Sequence, residues 1–393
     1  MTFLSTRTGW NLRPNRLSQR LDEARRQGRR ILDLTESNPT RAGIVYPEAS
    51  ILEAIAHPDA LLYDPDPRGM RRAREAVARW YARSGFAVDP ERLVLTASTS
   101  EAYAWLFKLL CDPGDDVLVP TPSYPLFDFL ATLESVVLRP YPLEWDGRFR
   151  IDLHALERAI GPRTRAIVVV HPNNPTGAYV KRAELRVLDA LCRAHGLALV
   201  SDEVFWSYGH APDPERAGVV ALETEALSFS MSGLSKPAGL PQMKCGWIVP
   251  GGAPAEALPA FERLEMIADT YLSVGTPVQV GLERLLELGD GVGGRIRARV
   301  AANRAELERA LARAPALTAA PLEGGWSAVL RVPNVRSEEE WALELLEHDG
   351  VLVQPGYFYD FPLRGVLVVS LLPPEDELAA GLERIVERVA RAI

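Results

Sequence analysis

Short apolar runs alternate along the chain with stretches whose apolar residues recur every three to four positions. Residues 93–96, 116–119 and 136–138 read as strands, the second ended by Pro120. Residues 166–170 are almost wholly apolar, as expected of a strand covered on both faces. Residues 197–200, 227–230 and 247–249 add three more expected strands. Between them, residues 101–110 and 181–195 carry helical periodicity, and Asp152 is placed to cap a helix that reaches Ile160. This alternation predicts a mostly parallel sheet with helices on its faces.

The pattern changes after Gly252. Helical periodicity runs from 254 to 288, a Gly-rich break follows at 289–294, and a second helix is expected over 295–313. Shorter strands are expected near 327–332, 351–354 and 365–371, then a closing helix over 375–392. Residues 31–34 read as a strand that leads back toward this region. The expected fold is α/β. A large domain holds a mostly parallel seven-stranded sheet sandwiched by helices. A smaller α+β domain is built from the N-terminal segment and the C-terminal third. The expected boundaries are 1–45 for the arm and small-domain segment, 46–285 for the large domain and 286–393 for the small one.

A length of 393 residues agrees with this division, because it exceeds one ordinary core. Hydrophobic content of 47% and charged content of 24% describe an ordinary globular chain. The net charge of −8 disfavours non-specific nucleic-acid binding. Cys111, Cys192 and Cys245 form neither a disulfide framework nor a metal motif, and the six histidines lack ligand spacing. Residues 1–14 contain no apolar signal core, and no stretch has membrane-spanning length. These features lead us to expect a cytoplasmic protein with no metal and no membrane or nucleic-acid partner.

Four segments carry chemistry. Lys236 lies in the Gly/Ser-rich run Ser230-Met231-Ser232-Gly233-Leu234-Ser235-Lys236-Pro237, with a second cation, Lys244, eight residues on. An imine-forming amine beside a phosphate site is what pyridoxal 5′-phosphate requires. Ser98-Thr99-Ser100-Glu101 falls between a strand and a helix, where hydroxyls and free N–H groups receive a phosphate. His171-Pro172-Asn173-Asn174-Pro175-Thr176-Gly177 follows the most hydrophobic strand, at the end where open sheets bind ligands. Ser201-Asp202-Glu203-Val204 ends another strand, and a buried aspartate there can keep a pyridine nitrogen protonated.

In this order the segments resemble the class I/II aminotransferases of the aspartate aminotransferase superfamily, from about Leu32 to the C-terminus. The resemblance implies pyridoxal phosphate as cofactor, with an amino acid and a 2-oxo acid as substrates. It implies Lys236 as covalent anchor and proton shuttle, Asp202 at the ring nitrogen and Asn174 at the ring hydroxyl. Ser98, Thr99 and Ser100 fall where such enzymes bind phosphate, and Tyr124 where an aromatic ring stacks on the cofactor. It further implies a homodimer in which Tyr63 reaches the partner's phosphate, and it sets Asn38 at the substrate pocket.

Three positions depart from the family pattern. Phe205 stands where a tyrosine usually bonds the ring oxygen, and Lys244 where an arginine usually meets the phosphate. Val368 stands where an arginine usually forks onto the substrate carboxylate, leaving Arg364 and Arg41 as candidate cations. The departures keep other reactions on the same scaffold in view: cysteine-conjugate β-elimination, decarboxylation or a biosynthetic cyclisation. A non-catalytic effector-binding protein is the further alternative.

Overall fold

The computed structural model describes residues 3–392. Met1, Thr2 and Ile393, at the ends of the first and last expected units, lie outside the described residues. The first strand, β1 (Leu32–Asp33), comes from the N-terminal segment. The large lobe follows with β2 (Val94–Thr96), β3 (Asp116–Thr121), β4 (Val137–Trp145), β5 (Phe149–Ile151), β6 (Thr164–Val170), β7 (Ala198–Asp202), β8 (Ser228–Gly233) and β9 (Gly246–Gly251). The small lobe holds β10 (Thr318–Ala319), β11 (Ser327–Arg331), β12 (Val351–Leu352), β13 (Gln354–Pro355) and β14 (Val366–Ser370).

The large sheet has the order β2-β9-β8-β7-β6-β3-β4-β5. It contains the seven expected strands plus an eighth, β5, which folds back antiparallel on β4. Strands β8, β7, β6, β3 and β4 run parallel to one another. Strand β9 is antiparallel to β8, and β2 is antiparallel to β9. Two reversals return β2 to the direction of the parallel set. The C-terminal ends of β2, β3, β6, β7 and β8 therefore open on one edge, where ligands bind in such sheets. Residues of β6, β7 and β8 are buried on both faces, which accounts for the unbroken apolar runs 166–170 of β6 and 198–200 of β7, while β8 alternates serines with Phe229 and Met231.

The small lobe is an antiparallel sheet, β10-β11-β14-β13. Strand β1 pairs in parallel with β12, which ties the N-terminal segment to this lobe. Leu32 and Leu34 share its core with Trp326, Trp341 and Leu382.

The expected break at 289–294 is absent. A single helix, Leu282–Ala312, runs through it, so the expected boundary at 285/286 falls inside that helix. Packing overrides the low helix propensity of glycine here. A Cβ on Gly289 would come within 2.4 Å of the Ala238 Cβ, and one on Gly293 within 2.7 Å of the Pro237 carbonyl. These glycines let the helix lie directly against the turn that carries Lys236.

Candidate active site

The shared sheet edge and the small lobe enclose a cavity of about 340 Å3. Six expected residues line it together: Thr99, Ser100, Tyr124, Asn174, Asp202 and Lys236. They come from five separate connections, each leaving the C-terminal end of a different strand.

Lys236 leaves β8 through a turn that is held from several sides. Its backbone carbonyl accepts from the Tyr208 hydroxyl at 2.7 Å and from the Gly239 N–H at 3.0 Å. The Gly239 carbonyl accepts from the Tyr46 hydroxyl at 2.6 Å. The Lys236 Nζ lies 5.5 Å from the centroid of Phe205 and 5.1 Å from that of Trp326. The side chain stays partly accessible because it borders the cavity, while protein surrounds the amine on its other sides. Burial lowers its pKa to about 8, against the opposing pull of the Asp202 charge. A neutral amine, the nucleophilic form, is thus available near neutrality.

Asp202 ends β7 with both carboxylate oxygens engaged. Oδ1 accepts from the Val204 N–H at 3.2 Å, and Oδ2 accepts from the Tyr103 hydroxyl at 3.2 Å. Burial pushes its pKa up to about 6, and the Val204 N–H, Tyr103 and Lys236 restrain the rise. The next residue, Glu203, points the other way, as strand alternation requires. Its Oε1 accepts from the Val220 N–H and the Ser230 hydroxyl, and burial raises it to about 7. Of the two adjacent acids, Asp202 alone lines the cavity.

The hydroxyl segment divides its labour. Ser98 is the N-cap of the helix Thr99–Leu110, its Oγ accepting from the Glu101 N–H at 3.1 Å. Thr99 and Ser100 line the cavity, and their first-turn N–H groups have no intrahelical acceptor. The asparagine pair divides similarly. Asn173 Oδ1 accepts from the Thr176 N–H and hydroxyl, which closes the turn. Asn174 Oδ1 accepts from the Ser327 hydroxyl at 3.3 Å, leaving its amide N–H groups to the cavity. Tyr124 is half-exposed at the mouth, and burial with the Asp202 charge raises its pKa.

Ser98 and five other expected residues lie outside this lining. Lys244 is exposed, in the left-handed conformation that ends the connection before β9. Tyr63 is 79% exposed beside exposed Leu61 and Leu62. The Asn38 carboxamide closes a local turn by accepting from the Thr40 N–H and hydroxyl, and Arg41 beyond it is exposed. Thr35 and Ser37 are the residues of that segment which line the cavity. Arg364 borders a different open groove, next to Arg336 and Tyr357. Of the tryptophans, Trp326 lines the cavity, packed edge-on against Phe205 at 4.9 Å between centroids.

Tyr103, Ser327 and Gln354 also line the cavity without having stood out in the sequence, and Tyr359 lines it too. Tyr103 had a signal: it lies four residues after Thr99 on the same helix face. The other three come from the small lobe, and nothing local ties them to the strand-end motifs.

The sequence profile of aminotransferase class I and II matches residues 30–385. The glutamate-pyruvate aminotransferase AlaA of Escherichia coli K12 is 27% identical over 380 residues, covering 93% of this chain and 91% of that protein. An alanine aminotransferase of Mycobacterium tuberculosis H37Rv is 29% identical, covering 91% of this chain and 85% of that one. Among solved structures, a single mutant of Thermus thermophilus aspartate aminotransferase superposes with a TM-score of 0.86 at 26% identity, over the full length of both chains. The chain belongs to the aminotransferase class I and II family. It is an aminotransferase, an enzyme that moves an amino group between amino and oxo compounds.

Proposed function

We propose that pyridoxal 5′-phosphate is the resident cofactor and that Lys236 and Asp202 hold its two chemically active ends. The observation that carries this is one buried amine and one buried carboxylate on a single cavity, with pKa values drawn toward each other, to about 8 and about 6. The donor set fits the group. The free N–H groups and hydroxyls of Thr99 and Ser100, with the helix dipole behind them, suit a phosphate. The Asp202 carboxylate, fixed by two donors, suits a protonated ring nitrogen. The Asn174 amide suits a phenolic oxygen.

When bound, such a cofactor holds the amino group covalently and takes up the electrons released at Cα. The chain's own groups do the rest. Lys236 supplies the attaching amine and then, once displaced by the substrate amine, takes the Cα proton on Nζ and delivers it onward. The Tyr208 and Gly239 bonds to its carbonyl fix where that amine starts. Asp202 would supply the counter-charge for a protonated ring nitrogen. Trp326 and Phe205 cover the amine and exclude water from it. Tyr124 closes the mouth.

A homodimer accounts for the exposed cluster Leu61, Leu62 and Tyr63, with Tyr63 reaching the partner's site. Lys244 is available to the same phosphate region from its exposed turn. Three free cysteines suit a cytoplasmic setting, and among the described residues no helix is long and apolar enough to cross a membrane. Amino-acid donors and a 2-oxo acid acceptor follow the relatives' names, alanine and glutamate–pyruvate among them.

The deciding experiment is borohydride reduction of the purified protein followed by peptide mapping. The reduced cofactor is expected on the peptide containing Lys236, and Lys236→Ala is expected to lose turnover. Label on another lysine, or undiminished turnover in the variant, overturns the assignment.

A further inference from the structure

The end of the cavity formed by the small lobe has its own chemistry. Gln354 on β13 stands directly opposite Val368 on β14, and both line the cavity. Opposed residues of an antiparallel pair project to the same face, so the two side chains border one spot. The Gln354 Oε1 accepts from the Tyr359 hydroxyl, itself buried and lining the cavity. With the amide oxygen engaged, its N–H2 group is what Gln354 has left to offer. Val368, Val369, Phe127 and Leu130 give the cavity apolar surface, and the hydroxyls of Ser327 and Ser370 and the Asn174 amide add neutral polar groups. Among the described residues Lys236 is the cation that lines the cavity, and it is committed to the reaction. Arg41 is exposed and Arg364 borders another groove.

A carboxylate seated here would lose its hydration in exchange for neutral donors alone, with no free cation among the described lining residues to offset the desolvation. A carbonyl or hydroxyl oxygen needs only one donor. Resting on the active site proposed above, we propose that Gln354, oriented by Tyr359, is a specificity-determining residue that reads a neutral oxygen on an apolar amine, such as an amino amide, ester or alcohol. Tyr359 is a positioning residue for it. In that exchange the substrate's C–N bond is replaced by a C=O bond whose oxygen comes from water. The nitrogen passes to the cofactor, and the Cα proton leaves through Lys236. A 2-oxo acid in the opposite half-reaction enters with a weaker hold on its carboxylate, which raises its KM and leaves the proton transfer intact.

The test is calorimetric binding of two unreactive ligands of equal size, 3-phenylpropanamide and 3-phenylpropanoate, to the cofactor-loaded protein. The amide is expected to bind at least tenfold more tightly. Gln354→Met should bring the two within about twofold of each other, and Tyr359→Phe should shrink the ratio without weakening both ligands alike. Val368→Arg should reverse the preference. Equal or tighter binding of the carboxylate by the unaltered protein overturns the proposal. So does equal weakening of both ligands by Gln354→Met, or no binding of either at millimolar concentration. A protein that fails to retain the cofactor at Lys236 refutes the active-site reading instead, and absorbance before titration distinguishes the two failures.

Discussion

The hydroxyl of Tyr208 donates to the backbone carbonyl of Lys236 at 2.7 Å. The tyrosine is buried, packed edge-on against Phe205 and Trp326, the two rings that flank the Lys236 amine. One residue thus supports both the main chain beneath the lysine and the aromatic cover above its side chain.

Tyr208→Phe removes the hydroxyl and keeps the packing. The Lys236 carbonyl retains the Gly239 N–H, so the expected stability loss is modest, about 1 kcal/mol. Turnover should fall several-fold while cofactor content is kept, because the amine is less well placed. Thermal unfolding, cofactor absorbance and kcat measured on one preparation separate these effects. Unchanged kcat would show that the bond has no positioning role.

Gly293→Ala tests the clamp behind the lysine turn. The added methyl would sit 2.7 Å from the Pro237 carbonyl, a backbone atom that cannot swing away. Overpacking of this kind costs about 1–3 kcal/mol. Gly291→Ala is the control, since a Cβ there meets nothing within 4 Å and alanine favours the helix. Denaturant unfolding should show the first variant destabilised and the second equal to or above the unaltered protein.

Lys236→Met should stabilise the cofactor-free protein at pH 7. The lysine pKa falls from 10.5 to about 8 on folding, equivalent to roughly 3 kcal/mol against the charged form. The unfolded chain binds more protons between these two values, so the penalty is full below pH 8 and fades as pH rises toward 10.5. The stability gap between variant and unaltered protein should therefore shrink over that window. A gap independent of pH would point to packing, not charge.

Cofactor affinity should depend on Asp202 ionisation. Its pKa is raised to about 6 without ligand, so the carboxylate is increasingly protonated below that value. A group binding a protonated ring nitrogen then loses its counter-charge, and affinity should fall about tenfold per pH unit below 6. Asp202→Asn should abolish this dependence and lower turnover by at least about a hundredfold, since the neutral amide cannot hold the ring proton. Fluorescence titration with cofactor between pH 4.5 and 8 provides the readout.

The strand-end motifs were legible in the sequence because the chemistry and the topology share one signal. Asn174 and Asp202 follow buried strands whose apolar runs mark them, and Lys236 lies in the polar turn after a third. Thr99 and Ser100 open a helix after β2. Local sequence could not show that Thr35 and Ser37, not Asn38, would face the cavity. That outcome depends on which hydrogen bonds each short side chain finds nearby.

The amino-acid order alone determined the parallel sheet, the family and the amine–carboxylate pair, since period-two and apolar patterns act over a few residues. Only the tertiary structure decided that glycines 289–294 continue a helix, because the reason is a close approach to Ala238 and Pro237, some fifty residues away in the chain. It alone also set Gln354 and Tyr359 beside Val368 at the far end of the cavity. Strand register and the meeting of two lobes create that wall, and both are long-range properties of the packed chain.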